Sequence, residues 1–382
     1  MSATVVENAS DVVVVGGGLV GASTAFFLRQ RGRSVTLLES ALVGQQASGT
    51  NFGNVRRQGR PLHQLPLANR ANRIWREMKA LVGADVEYLE SGHVRVCYRS
   101  SPELAGELEA YATDARQAGL DLELLSGDAM RQRFPFLGRE VLAASYSAQD
   151  GHANPRLAAP AFARAAVRAG ATLHENTRVA AIEKNGEDFR AMGDDGRVFR
   201  APILLVAAGA WGSLLSSQFH EPVPLVSRAP TMSVTEPVPY GVAPAVGVFT
   251  KASNESVYFR QIPRGNIIIG GGPRAEAHLD ARRAKVEPRN TLHQLYQVRR
   301  LAPALARLNV IRVWSGVEGY TPDALPVMGP SGRTAGLYYA YGFSGSGFQI
   351  APAVGEVMAE LIDTGKTAID LAPYRIGRFE AS

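Results

Sequence analysis

The chain has 382 residues, 46% hydrophobic and 20% charged, with 41 basic against 35 acidic side chains and a net charge of +6. Its length exceeds what one hydrophobic core usually supports, so two domains are expected. The surplus arginine is scattered and not gathered into a basic run, which argues against nucleic acid as a partner.

One cysteine, Cys97, leaves no internal disulfide and no cysteine-based metal site, and no metal is expected. No stretch has the apolar length of a membrane span. The N-terminus lacks a basic region followed by an apolar segment, so a cytoplasmic protein is expected.

The first strong element is Asp11-Val-Val-Val-Val-Gly16-Gly-Gly18-Leu19-Val20-Gly21. Four consecutive β-branched residues suit a central parallel strand buried on both faces. Gly16, Gly18 and Gly21 then form a G-x-G-x-x-G turn, and a helix is expected over 19–30. A helix N-terminus there offers backbone N–H groups and positive potential to a pyrophosphate. A second strand ends on Glu39, followed by Ser40. A carboxylate at that place accepts ribose hydroxyls and repels a 2′-phosphate, so FAD or NAD fits better than NADP. Strand, glycines, helix, second strand and acid fall in order within one βαβ unit, which distinguishes the motif from a chance glycine-rich turn.

A polar, glycine-rich stretch over 44–60 is too long for a simple connector and is a candidate functional loop. Beyond it the spacing predicts a helix over 65–81, a strand over 86–98 with Cys97 packed in it, and helices over 102–118 and 155–169. Three short strands follow, 177–184, 188–192 and 197–200. A buried strand ends at Gly209 and Trp211, with Trp211 read as a core plug. Strands dominate 222–272, and a helix is predicted over 282–301. A last buried strand over 337–341 feeds Gly342-Phe-Ser-Gly345-Ser346-Gly347 and a final helix ending near 364, with Pro352 placed in its first turn. The alternation of βαβ units with strand-rich insertions predicts an α/β fold. A Rossmann-like cofactor domain is assembled from 1–85, 145–220 and 325–382. An antiparallel-sheet substrate domain is assembled from 86–144 and 221–324.

The fingerprint, the Ala47-Ser48-Gly49-Thr-Asn51-Phe52-Gly53-Asn-Val-Arg56 loop, the Val206-Ala-Ala208-Gly209-Ala-Trp211 strand end, and the paired runs 314–329 and 342–349 occur in a definite order. Together they resemble the FAD-dependent D-amino acid oxidase superfamily. They look closest to its bacterial branch of glycine and sarcosine oxidases, hydroxyproline and opine dehydrogenases and cyanide-forming glycine dehydrogenase. The resemblance spans essentially the whole chain. It implies FAD as cofactor, a two-domain fold and an amino-acid-like small-molecule substrate. It also implies oxygen or a quinone-type redox partner as electron acceptor. Opine and hydroxyproline dehydrogenases have partner subunits, so a hetero-oligomer is among the expectations. Covalent attachment is not expected, because Cys97 lies far from the C-terminal stretch where monomeric sarcosine oxidases carry a linking cysteine.

The resemblance also implies residue roles. Ser48, Gly49, Asn51, Phe52 and Gly53 suit a loop beneath the isoalloxazine. Gly345, Ser346, Gly347, Phe348 and Gln349 open a helix whose amides can face the flavin N1–O2 edge, where reduction places negative charge. Val179 stands at the adenine position, and Ala208 and Gly209 where the buried strand passes the cofactor. Arg56 resembles a basic residue near the flavin of sarcosine oxidases; a surface cation, at Arg56 or Arg57, is the competing reading. A substrate carboxylate calls for arginine and tyrosine. Tyr258 and Arg260, two apart on one strand, share a face and are the candidates; a solvated face is the alternative. Many relatives carry an arginine just before Thr-Pro-Asp, but here the run is Gly316-Val-Glu318-Gly-Tyr320-Thr-Pro-Asp323. Glu318 is then either a ligand for a cationic group or a residue behind the site. Oxidation of a CH–NH bond is the leading expectation. Oxidation of a 2-hydroxy acid, or an FAD subunit within a larger dehydrogenase complex, are the alternatives.

Overall fold

The computed structural model describes residues 6, 7 and 9–379. The N-terminal leader reading and the outermost domain limits, 1 and 382, fall outside the described residues. A six-stranded sheet runs Val327–Pro330, Leu337–Tyr341, Ile203–Val206, Val12–Val15, Val35–Leu38, Thr172–His174. Every pair is parallel except the edge pair of Val327–Pro330 with Leu337–Tyr341. The middle strands are apolar on both faces because both are covered. Val12, Val14, Leu37 and Leu205 pack with the helices Leu19–Gln30, Pro155–Arg168 and Gly347–Thr364. Val13, Val15, Leu204 and Val206 pack with Phe189, Phe199 and Ala201 of a second, four-stranded sheet.

An eight-stranded sheet runs Val310–Ser315, Thr231–Pro237, Asn266–Gly271, Val257–Gln261, Ala245–Val248, His93–Tyr98, Val141–Ser147, Glu123–Ser126. Only Ala245–Val248 with His93–Tyr98 is a parallel pair. Val246, Phe259 and Ile269 pack with Val298 and Leu301 of the helix Pro288–Leu301. A row of directly paired residues, Met232, Gly270, Tyr258, Gly247 and Arg95, crosses the sheet. A smaller sheet, Arg283–Ala284, Ala275–His278, Val226–Ala229, Glu318–Tyr320, and a two-stranded ribbon, Asn54–Val55 with Gly151–His152, complete the frame.

Four sequence expectations are corrected. The strand expected from 86 begins only at His93, because Glu87 (φ 54°) and Gly92 (φ 82°) are left-handed. The helix expected from 282 begins at Pro288. Arg282 has φ 48°, Arg283–Ala284 is a strand, and the residue before a proline disfavours the helical region. Pro352 is the sixth residue of the Gly347–Thr364 helix and not in its first turn, which removes the donor for the Phe348 carbonyl. Trp211 is not a core plug: it is partly exposed on a cavity wall, and its Nε1–H donates to the Leu279 carbonyl at 3.2 Å.

Candidate active site

A cavity of about 590 Å³ is walled by the C-terminal ends of the six-stranded sheet, the 44–60 loop, and the Met232–Arg95 row. Its first half is built from the glycine turn. Gly16 has φ 114°, and a Cβ there would fall on the Ala207 carbonyl oxygen; a Cβ on Gly21 would fall on the Gly16 carbonyl. Strand, turn and helix thus approach as only glycine permits. No side chain of the turn caps the Leu19–Gln30 helix. Instead Leu19 N–H donates to Ser48 Oγ at 2.8 Å, so the loop closes the helix opening. Glu39 Oε2 accepts Gly17 N–H at 2.7 Å and Oε1 accepts Ala41 N–H at 2.9 Å.

Gly16, Gly18, Leu19, Val20, Glu39 and Ser40 line this half, with Val179, Ala208 and Gly209 beside them. Ser48, Asn51 and Phe52 line the middle, and Gly345 through Gln349 close the far edge. Gln349 Oε1 is buried without a partner. Gly21, Gly49 and Gly53 are not in the wall. Gly49 lies against the Gly44 carbonyl and Gly53 against that of Ala153, so they shape the loop from behind. A trough of backbone amides, an acid at the second strand's end and a helix opening at the far edge suit a dinucleotide with a flavin ring. The single cysteine, Cys97, is buried and lines no part of it.

The second half holds the ionisable groups. Tyr258 lies over Gly270, where a Cβ would overlap its ring, and packs edge-on to Phe52 with centroids 4.8 Å apart. Burial, then the Glu318 charge, pushes its hydroxyl up to about 12. Tyr320 donates to Glu318 Oε2 at 2.5 Å, and the Arg274 guanidinium lies 4.5 Å from the Tyr320 ring centre. Burial lifts the Glu318 carboxyl above its ordinary range, against the opposing effects of Tyr320 and Arg274. Burial and Glu318 raise Tyr320 as well.

Arg56, Arg60, His93 and Arg95 line the same cavity. Arg56 is therefore no surface cation, and neither is Arg57, which is buried with its Nε 3.0 Å from Asp150. Arg60 donates to the Ser346 carbonyl at 2.9 Å, at the far helix opening. Gln58 donates to His93 Nδ1 at 2.8 Å and to the His93 carbonyl at 2.6 Å, while its Oε1 accepts the Ser145 hydroxyl. Nδ1 is thus the acceptor, which assigns the proton of the neutral ring to Nε2. Burial, then Arg56 and Arg95, hold His93 well below the usual imidazole range.

Arg260 corrects the sequence expectation. It is buried and does not line the cavity. Its Nε donates to the Phe52 carbonyl at 2.8 Å, Nη2 to the Ala153 carbonyl at 3.3 Å, and Nη1 lies 3.1 Å from His152 Nδ1. It therefore ties the eight-stranded sheet to the loop that carries Phe52 and Gly53, and is committed to that loop. Arg60, His93, Arg95 and Arg274 line the cavity although sequence reasoning passed over them. His93 and Arg95 alternate on one strand, a period-2 signal that was available.

Comparison with known proteins bears on the family and the fold. The chain matches the family described as DAO, FAD dependent oxidoreductase, over residues 11–361. It is 29% identical over 378 residues to a glycine oxidase of Geobacillus kaustophilus, covering 96% of this chain and 97% of that one. It is 30% identical over 383 residues to a subunit of the opine oxidase of Rhizobium meliloti, covering 97% and 98%. The crystal structure of L-proline dehydrogenase from P. horikoshii superimposes with a TM-score of 0.90 at 28% identity, covering 98% of each chain. With the glycine trough, the Glu39 terminus and the far helix opening in one cavity, the chain belongs to the DAO family and is an FAD-dependent oxidoreductase.

Proposed function

We propose that the protein oxidises the CH–NH bond of an amino acid or N-substituted amino acid to an imine, which water hydrolyses to an oxo acid and an amine or ammonia. The observation that carries this reading is that one cavity is lined both by Arg56 with a neutral His93 and by the hydrogen-bonded Glu318–Tyr320 pair. When bound, FAD supplies the hydride acceptor, N5 of its ring. Arg56 and the His93 Nε2–H hold the substrate carboxylate, with Tyr258 as a third donor. Glu318, a carboxylate with raised proton affinity, takes the proton that leaves the substrate ammonium, and Tyr320 shares it. Tyr258 and Phe52 exclude water from this side of the cavity. The amides of Gly347, Phe348 and Gln349, with Arg60 beside Ser346, stabilise the negative charge of the reduced flavin edge. Gly16, Gly18, Glu39, Ser48, Val179 and Gly209 hold the rest of the cofactor.

A second reading, an FAD subunit of a larger dehydrogenase, is supported by the similarity to a protein named as an oxidase subunit. The chain is read as dividing into a cofactor unit, 1–85, 145–220 and 325–382, and a substrate unit, 86–144 and 221–324; the strand Val141–Ser147 runs through one of those limits. A cytoplasmic site of action belongs to the same proposal. No helix among the described residues is long and apolar enough to cross a membrane. Mixing the holoprotein anaerobically with D- and L-amino acids, N-substituted amino acids and 2-hydroxy acids tests the reaction class. Bleaching of the flavin band by an amine-bearing acid supports it, and bleaching by hydroxy acids alone refutes it. Turnover with an artificial dye by the purified chain alone would refute the subunit reading.

A further inference from the structure

The cavity wall carries more positive charge than one substrate carboxylate explains. Arg56, Arg60 and Arg95 all line it. A Cβ built on Gly59 would meet Arg95 Nη1 at 2.5 Å and Arg56 Nη1 at 2.8 Å, so these two guanidinium groups are neighbours. Their polar partners are uncharged. Arg56 donates to the Gln58 carbonyl. Arg60 donates to the carbonyls of Arg56 and Ser346 and to Gln64. Arg95 lies 4.0 Å from the ring centre of Phe249. The buried carboxylate nearby, Asp150, is occupied by Arg57 and by the backbone N–H groups of Arg57 and Gln58. Among the described residues no carboxylate comes within ion-pair distance of Arg56, Arg60 or Arg95.

Burial, then the charge of Arg56, lowers Arg60 to about 9 and Arg95 to about 10, and burial lowers Arg56. Mutual repulsion in a desolvated wall is costly unless an anion arrives from outside. Arg60 is fixed at Ser346, at the cofactor edge. Arg56 is taken by the first carboxylate in the reading above. Arg95, two residues beyond His93 on the same strand face, is left over.

We propose that the cavity takes a dicarboxylate substrate: an amino acid bearing a second carboxylate, on its side chain or on its nitrogen substituent, held by Arg95 while Arg56 holds the first. The inference rests on the amine-oxidation reading and narrows its substrate class.

Matched unreactive acids test it on the holoenzyme, read by perturbation of the flavin spectrum. The pairs are thiodiacetate against (methylthio)acetate and glutarate against butyrate. At least one diacid is expected to bind about tenfold tighter than its monoacid, equivalent to about 1.4 kcal/mol. Arg95→Gln is expected to bring that ratio close to one, and Arg95→Lys to restore part of it. The inference is overturned if neither diacid is favoured in the wild type, or if Arg95→Gln weakens both members of a pair alike and keeps their ratio. If none of the four acids perturbs the flavin, the carboxylate site itself is misplaced and the amine-oxidation reading falls with the inference. If monoacids bind but diacids gain nothing, only the second carboxylate is refuted.

Discussion

Replacing Arg260 with alanine separates a structural strap from a substrate ligand. The guanidinium satisfies the carbonyls of Phe52 and Ala153 and meets His152 Nδ1, at 2.8, 3.3 and 3.1 Å. Each buried acceptor left unpaired costs about 1–3 kcal/mol. Part is returned, because burial without a carboxylate partner already lowers Arg260 to about 9. The net loss is then about 2–4 kcal/mol, in the range of a broken buried polar network. Urea unfolding should show a lower midpoint with an unchanged slope. FAD should also bind more weakly, because the strapped loop carries Phe52 on the cavity wall. The apparent KM for a good substrate should change by less than about threefold, since a lost carboxylate contact would cost tenfold or more. An unmoved midpoint together with a tenfold fall in kcat/KM would show that the guanidinium reaches substrate and that the strap is misassigned.

Gly16→Val should yield protein with a flavin-to-protein absorbance ratio near zero, because the added side chain collides with the Ala207 carbonyl and fills the trough; a folded variant with normal flavin content contradicts the assignment. Acid precipitation of the holoprotein should leave a yellow supernatant and a colourless pellet. Stability should fall as pH drops below 6.5. Burial, then Arg260, holds His152 at about 3, and burial holds His93 well below 6.5, so the unfolded chain takes up protons that the folded one refuses. Each histidine contributes a slope approaching about 1.4 kcal/mol per pH unit between 6.5 and its folded value. Calorimetry across that range should show the loss, and His152→Gln should flatten it. A flat pH profile in the wild type would mean that these rings are charged in the fold.

The cofactor half was legible because its constraints are local. Gly16, Gly18 and Gly21 answer to the backbone within one turn, and Glu39 follows at the end of the next strand. The substrate half was less legible, for reasons visible at single residues. Period 2 places Tyr258 and Arg260 on one face, but says nothing of what covers it. The Asn54–Val55 and Gly151–His152 ribbon, with the Phe52 loop, lies over Arg260 and leaves Tyr258 to the cavity. Arg56 and Arg95 become neighbours only because Gly59 lets the loop pass close beneath a strand of the eight-stranded sheet. That pairing is remote in sequence and carries no motif. Trp211 was misread because burial in a strand end and a place on a cavity wall look alike in an apolar run.

The most direct test of amine oxidation is to reduce the holoprotein anaerobically with a turning-over amino acid, protiated and then deuterated at Cα, and to assay the products. Flavin reduction should slow severalfold with deuterium, and one oxo acid and one amine or ammonia should appear per flavin reduced. Full reduction without an oxo acid and amine, or by 2-hydroxy acids alone, would contradict the account.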